Sequence, residues 1–169
     1  TWQYRLDGQN DWQTAQIALK DAGEYTVWYK VSAKNHADAT GSFRVRIDKA
    51  TLGVVIGSAE IVYGEQAPES YSIEYRGFVL GETQTVITGT PKFTAEGYSG
   101  AAGEYDVTVS GIEAKNYNFS IVVGKLIVRK KTVNVTIGSA SSVYGSEVSA
   151  DEATWSADDE AFAAAYGDY

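Results

Sequence analysis

The feature that most constrains this chain is an internal repeat. Thr51-Leu-Gly-Val-Val-Ile56-Gly57-Ser58-Ala59 returns as Thr132-Val-Asn-Val-Thr-Ile137-Gly138-Ser139-Ala140, and Val62-Tyr63-Gly64 returns as Val143-Tyr144-Gly145, both displaced by 81 residues. Upstream, Ala22-Gly23-Glu24-Tyr25 returns as Ala102-Gly103-Glu104-Tyr105, displaced by 80, and Ala33-Lys34-Asn35 as Ala114-Lys115-Asn116, displaced by 81. Four patches that keep their order at one spacing define a period, and a period of this length marks a tandem array of supersecondary units. Boundaries fall near Asp48/Lys49 and Lys130/Lys131, where a basic residue precedes a new apolar run. The chain then divides into 1–48, the second part of one unit, 49–130, a complete unit, and 131–169, the first part of a following unit. The start at Thr1-Trp2, without an initiator Met, fits a piece of a longer protein.

Each unit reads as β-structure. Apolar residues alternate with polar ones over 2–6, 25–32, 43–47, 52–56, 60–63, 71–75, 85–95, 105–110 and 117–128, bounded by Gly, Asp, Asn and Pro. Asp7-Gly8 and Gly57-Ser58 serve as hairpin punctuation, and Gly124 marks a bulge in the last strand. The fold class is therefore all-β, as tandem small antiparallel modules. An Ig-like sandwich is the leading architecture for them. A β-grasp-like sheet is the alternative for 49–130, with Phe78 to Thr83 as a short crossing helix and parallel pairing of the first and last strands as its signature. Residues 157–166 form the one helical stretch, with acids at its start that suit the macrodipole. They stand in the place of the Phe78 to Glu82 turn, and Gly167 lies 86 residues beyond Gly81, so this copy carries about five inserted residues.

Composition excludes several functions. A net charge of −8 without any large basic cluster argues against nucleic acid and anionic membranes, which need grouped Lys and Arg; Arg129-Lys130-Lys131 is the one tight group. The lack of cysteine removes disulfides, thiolate zinc sites and cysteine nucleophiles. No apolar run reaches the length of a membrane span.

Two resemblances follow from the motifs. Asp21-Ala-Gly-Glu-Tyr25-Thr-Val27 resembles the approach to strand F of immunoglobulin-superfamily domains, and Ala101-Ala-Gly-Glu-Tyr105-Asp-Val107 repeats it. That likeness implies a tyrosine corner at Tyr25 and again at Tyr105, with Trp2 in the role of the core tryptophan. The 81-residue unit resembles the MBG repeat (YGX type) of bacterial surface adhesins. The residues that carry this are Val62-Tyr63-Gly64, Gly77-Phe-Val-Leu-Gly-Glu82, Ala102-Gly-Glu-Tyr105, Ser110-Gly-Ile112, Ala114-Lys-Asn-Tyr117 and Gly124-Lys-Leu-Ile-Val128. The likeness covers 49–130 and, in part, 131–145, whereas 1–48 resembles the later part of a bacterial Ig-like repeat. It implies a stalk or adhesive module of an extracellular, cell-surface protein, without catalysis, cofactor or metal. Its partners would be neighbouring repeats of the same protein.

Chemistry-bearing residues are few. His36, the single histidine, sits in the polar turn Lys34-Asn-His-Ala-Asp38 and has no nucleophile pattern around it, so no catalytic residue is assigned. The oxygen-rich turns Asp7-Gly-Gln-Asn-Asp11 and Asp158-Asp-Glu160 lack calcium-loop spacing and read as a hairpin turn and a helix start. Aromatic faces stack on sugars, which makes Trp12 and Trp155 the candidate binding residues, with Trp12 as the expected exposed member; alternation places Trp2 and Trp28 on faces open to burial in a core. A glycan or a host protein is the corresponding partner. Finally, the strands missing from the first unit are of the kind present in the last, so head-to-tail self-association by strand addition is a further expectation.

Overall fold

The computed structural model describes residues 1–148 and 154–166; Gly167 and the insertion reading attached to it lie outside the described residues. Strands occupy 48% of the described residues and helix 6%, so the fold is all-β.

The first unit is one antiparallel sheet in the order β1 (Trp2–Leu6), β2 (Gly23–Val31), β3 (Ala39–Ile47). Its registers pair Tyr4 with Tyr29, Leu6 with Val27, Val27 with Phe43 and Tyr25 with Val45. Paired residues share a face, so period-2 alternation collects these apolar side chains on one side and Arg5, Trp28, Lys30 and Arg44 on the other. The Asp7-Gly8 turn forms as its chemistry dictates, with Gly8 at φ 77 and the Gln9 amide donating to the Leu6 carbonyl at 3.1 Å.

In the central unit, β4 (Ala50–Ile56), β5 (Ala59–Val62), β6 (Ile73–Arg76), β7 (Ile87–Ala95), β8 (Gly103–Ala114), β9 (Tyr117–Val122) and β10 (Gly124–Arg129) form two sheets, β6-β4-β9 and β5-β10-β8-β7. The pairing is mixed, adding to the antiparallel ladders the parallel pairing of first and last strands that was the signature of the β-grasp-like alternative. β4 runs parallel to β9 from Ala50↔Tyr117 to Val55↔Val122, and β5 runs parallel to β10 from Ala59↔Leu126 to Val62↔Arg129. The first and last long strands of the unit thus lie side by side, and both cross from one sheet to the other. Gly57-Ser58 is a corner in this path and not a hairpin, because β4 and β5 do not pair with each other. The corner needs glycine on the facing strand, since a Cβ on Gly124 would lie 2.3 Å from the Gly57 carbonyl oxygen. A strand that turns a corner between two sheets encloses a core between them.

That core follows from the sequence pattern. Leu52, Val54 and Ile56 alternate inward along β4, Val107 and Val109 along β8, and Leu126 and Val128 along β10. On β8 the inward parity then shifts, from Val107 and Val109 to Ile112 and Ala114. The shift is made by a bulge in which Gly89 and Gly111, at φ 89 and 76, face each other so closely that a Cβ on either would strike the opposite backbone. Pro91 lies inside this irregularity, where no ladder amide is required. Phe78 to Thr83 is a turn, not a crossing helix, followed by a single 3-10 turn at Gln84–Val86.

The third unit reproduces part of the second at the level of hydrogen bonds. β11 (Val135–Ile137) pairs with β12 (Trp155–Ala157) through Val135↔Ala157 and Ile137↔Trp155, matching Val54↔Tyr75 and Ile56↔Ile73. The Gly138 amide donates to the Thr154 carbonyl as the Gly57 amide does to Ser72. Gly64 and Gly145 both adopt φ 95. α1 (Glu160–Tyr166) starts where the helical signal lay. Asp159 caps it, its carboxylate accepting from the Phe162 amide at 2.9 Å.

Leu126→Ala is expected to cost about 2–5 kcal/mol in urea unfolding through lost contacts and a cavity. Ile137→Ala, at a side chain 73% exposed, should cost less than ~0.5 kcal/mol. Gly124→Ala should be more damaging than its single methyl suggests, because the corner must open; a variant as stable as the parent would refute the corner assignment.

Candidate functional site

Three places carry what chemistry the chain has: the two corner tyrosines, the junction between the first and central sheets, and the faces of the first sheet.

Each tyrosine hydroxyl donates to the carbonyl four residues earlier, Tyr25 to Asp21 at 2.8 Å and Tyr105 to Ala101 at 2.9 Å. Each bond ties a loop to the strand it leads into. At the first of these loops the central unit makes its junction. The Ala22 amide donates to Asn116 Oδ1 at 3.0 Å, Asn116 Nδ2 donates to Asp21 Oδ1 at 3.0 Å, and Lys115 Nζ donates to Asp21 Oδ2 at 2.5 Å. Asn116 also anchors its own unit, its carbonyl accepting from the Ala50 amide. The Ala114-Lys-Asn motif therefore clamps the preceding unit's tyrosine-corner loop. The Lys115 bond, then the Asn116 bond, hold the Asp21 carboxyl below the usual carboxylate range, and Asp21 raises Lys115 in turn. With side chains 72% and 46% exposed, Lys115 and Asp21 form a hydrated ion pair.

Trp2 does not lie in a core. It is 55% exposed on the edge strand of the first sheet, with its ring 6.4 Å from that of Tyr4 and 5.8 Å from that of Tyr29. Trp12 is half-buried, with Arg5 and Lys30 at 5.1 and 5.2 Å from its ring centroid. Trp28 is on the same polar face and not buried; its Nε1 donates to Asp7 Oδ1 at 3.1 Å. Trp155 occupies the register position of Ile73, which packs on the central core. That equivalence assigns it to the inner face of the third unit's hairpin.

The remaining candidates form hydrogen bonds of structural use. His36 Nδ1 lies 2.9 Å from the Lys34 carbonyl in an exposed turn. Asp158 accepts from the Asn134 amide and side chain, which lowers its pKa, and Asp159 takes Lys131 Nζ at 2.5 Å. Among the described residues no three His, Cys, Asp or Glu side chains gather as a metal site, and no helix is long and apolar enough to cross a membrane.

Sequence reasoning missed two features. Tyr117 is 3% exposed; its hydroxyl donates to Glu82 and accepts from the Val79 amide at 3.0 Å, fixing the Gly77 to Glu82 turn that displays Leu80 at φ 55 and 80% exposed. The second is a groove of about 400 Å³ on the apolar face of the first sheet, lined by Tyr4, Ile17, Leu19, Val27, Phe43 and Val45 among others. The alternation of β1–β3 signals that face.

A two-sheet β module closed by parallel strands, joined to sheets of repeated sequence on either side, defines a tandem repeat domain. Residues 52–127 match the model of the MBG domain (YGX type), so the central unit is similar to that family, which suggests a repeat module of surface proteins. No curated protein and no solved structure shows significant similarity to the chain.

The junction should respond to pH in two directions. Asp21 has a lowered pKa, so its contribution is complete above the ordinary carboxylate range and is lost as acid titrates it. Lys115 has a raised pKa, so its contribution is complete below the ordinary lysine range and is lost in strong alkali. An NMR titration should give an Asp21 midpoint below that of a free aspartate, moving upward in Lys115→Ala; an unmoved midpoint would deny the clamp.

Proposed function

We propose that this chain is a non-catalytic, load-bearing stalk segment of an extracellular bacterial adhesin-like repeat protein. The observation that carries this is the placement of the ladders in the central unit. Tension enters at Ala50, the start of β4, and leaves at Arg129, the end of β10. The strands joining these points run parallel, so a pull on the ends slides β4–β5 along β9–β10. In that shear geometry many hydrogen bonds must fail together, whereas an antiparallel pair pulled at one end opens bond by bond. The Asp21 clamp to Lys115 and Asn116 limits bending at the preceding junction. Neighbouring repeats are then the natural partners, and the cell surface the natural location.

Pulled by its ends in single-molecule force spectroscopy, the central unit should unfold in one peak, releasing on the order of 250 Å of chain at ~3.3–3.6 Å per residue. Unfolding without a resolved peak would contradict a load-bearing role.

A second reading, as a glycan- or host-protein-binding module, is favoured by one cluster. Trp12 and Trp28 share Arg5 on the solvent side of the first sheet, a surface that combines aromatic faces with cations. A glycan-array signal abolished by Trp12→Ala would establish this reading over the stalk alone; no binding in the parent chain would dismiss it.

A further inference from the structure

Folding assembles on the first sheet a group of side chains that the sequence scatters. Tyr4 and Gln13 exchange backbone hydrogen bonds at 2.7 and 2.9 Å, which lays the loop after Leu6 along the outer edge of β1 and brings Trp12 beside Arg5. Across the other edge of β1, Arg5 is paired with Trp28. The Arg5 guanidinium therefore stands between two indoles, 5.1 Å from the ring centroid of Trp12 and 5.4 Å from that of Trp28. Lys30 Nζ lies 5.2 Å from the Trp12 centroid, and Arg44 joins the same face from β3, opposite Thr26. The ion pairs among the described residues use other cations than Arg5, Lys30 and Arg44. Carboxylates of this face lie at its margin, Asp7 accepting from Trp28 Nε1 at 3.1 Å and Glu24 opposite Arg46. In a protein of net charge −8 the cluster is a local excess of positive charge.

The central unit shows that the sheet does not need these residues. β1-β2-β3 share the register of β7-β8-β10, with Leu6↔Val27 standing for Ala95↔Val107 and Val27↔Phe43 for Val107↔Gly124. The positions of Arg5, Trp28, Lys30 and Arg44 are there Thr94, Thr108, Ser110 and Lys125, and Lys125 is paired with Glu104 and Asp106. The same frame thus folds without an aromatic residue at these positions and with their one cation neutralised. It also leaves the face open: Thr94, Ser110 and Lys125 are exposed in a unit whose two sheets are both present. Exposure of the cluster is a property of this face, independent of what chain precedes β1.

We infer that the face is a binding site for an acidic saccharide, one that carries carboxylates or sulfates on its rings. An indole offers a flat apolar surface on which the face of a sugar ring stacks. A guanidinium between two indoles offers a planar fork of donors that matches a carboxylate or sulfate. Among the described residues Arg5 spends only Nη1, which donates to the Gln9 carbonyl at 2.6 Å. That bond and the flanking rings hold the guanidinium in place before a ligand arrives, so little side-chain freedom is lost on binding. Lys30 and Arg44 flank the row and meet the charges of neighbouring saccharide units. An acidic saccharide brings a rigid ring face and an anion in one unit and so matches both parts of the site, whereas an acidic peptide matches the cations alone. The inference deepens the glycan reading above and rests on it; the load-bearing reading is independent of it.

The test follows the Trp12 and Trp28 indole N–H signals of the full chain by heteronuclear NMR. The probes are hexasaccharides of galacturonate and of chondroitin sulfate, a neutral counterpart of each with its acids esterified or removed, and poly-glutamate. The acidic saccharides should move both signals to saturation and bind about tenfold or more tightly than the neutral counterparts and poly-glutamate. Lys30→Gln combined with Arg44→Gln should weaken that binding by about tenfold while circular dichroism stays unchanged. Equal affinity for acidic and neutral saccharides, or an affinity unmoved in the double variant, would overturn the inference and leave the glycan reading standing. Equal affinity for poly-glutamate would overturn it by reducing recognition to charge. Signals unmoved by every saccharide would overturn the inference and the glycan reading together.

Discussion

The structure of the central unit depends on one arrangement, the parallel pairing of β4–β5 with β9–β10. Both strand paths bend at the same level, where Gly124 passes the Gly57 carbonyl too closely for any side chain. The bend carries each path from one sheet into the other, so Leu52, Val54 and Ile56 on one path and Leu126 and Val128 on the other share the space between the sheets. Parallel ladders cannot close with a tight turn, and the chain between Val62 and Tyr117 makes the return by way of β6, β7 and β8. The long β8 serves both core clusters because the Gly89/Gly111 bulge resets which of its residues face inward.

The same arrangement explains why the repeat has the length it has and where its units meet. The last strand of one unit runs through two residues into the first strand of the next, as Asp48-Lys49 between β3 and β4 shows. A unit's opening strand must then lie beside its own closing strand, and its turns are left to contact the neighbour. At the first junction that contact is polar and specific, through Asp21, Lys115 and Asn116. At the second, Ala101 holds the position of Asp21, and the ion pair nearby is Lys131 with Asp159. Charge in this protein lies on the outer faces of strands as well as at turns and junctions, while among the described residues no charged side chain is buried.

Much of this was legible in the sequence. The period-2 runs placed the strands, Asp159 and the acids beside it announced the helix, and the recurring Gly-Glu-Tyr motif located the corner tyrosines. The parallel pairing entered only as the signature of the alternative sheet, because alternation records which face a residue uses and says nothing of strand direction. Gly57-Ser58 has the composition of a hairpin turn, and only the packing of Gly124 against it makes it a corner. The tryptophans misled for a related reason. Size and apolarity favour burial, yet Trp2 stands exposed on the edge strand and Trp28 lies on the polar side. Trp155 gains its meaning only from the register that equates it with Ile73.

The central claim is most directly tested by backbone NMR of the chain in solution, through nuclear Overhauser contacts across the two long strand paths. The account predicts contacts in parallel register, joining Val54 to the neighbourhood of Ile121 and Ala59 to that of Leu126. Contacts that place β4 antiparallel to β5, or that leave β4 and β9 apart, would contradict it.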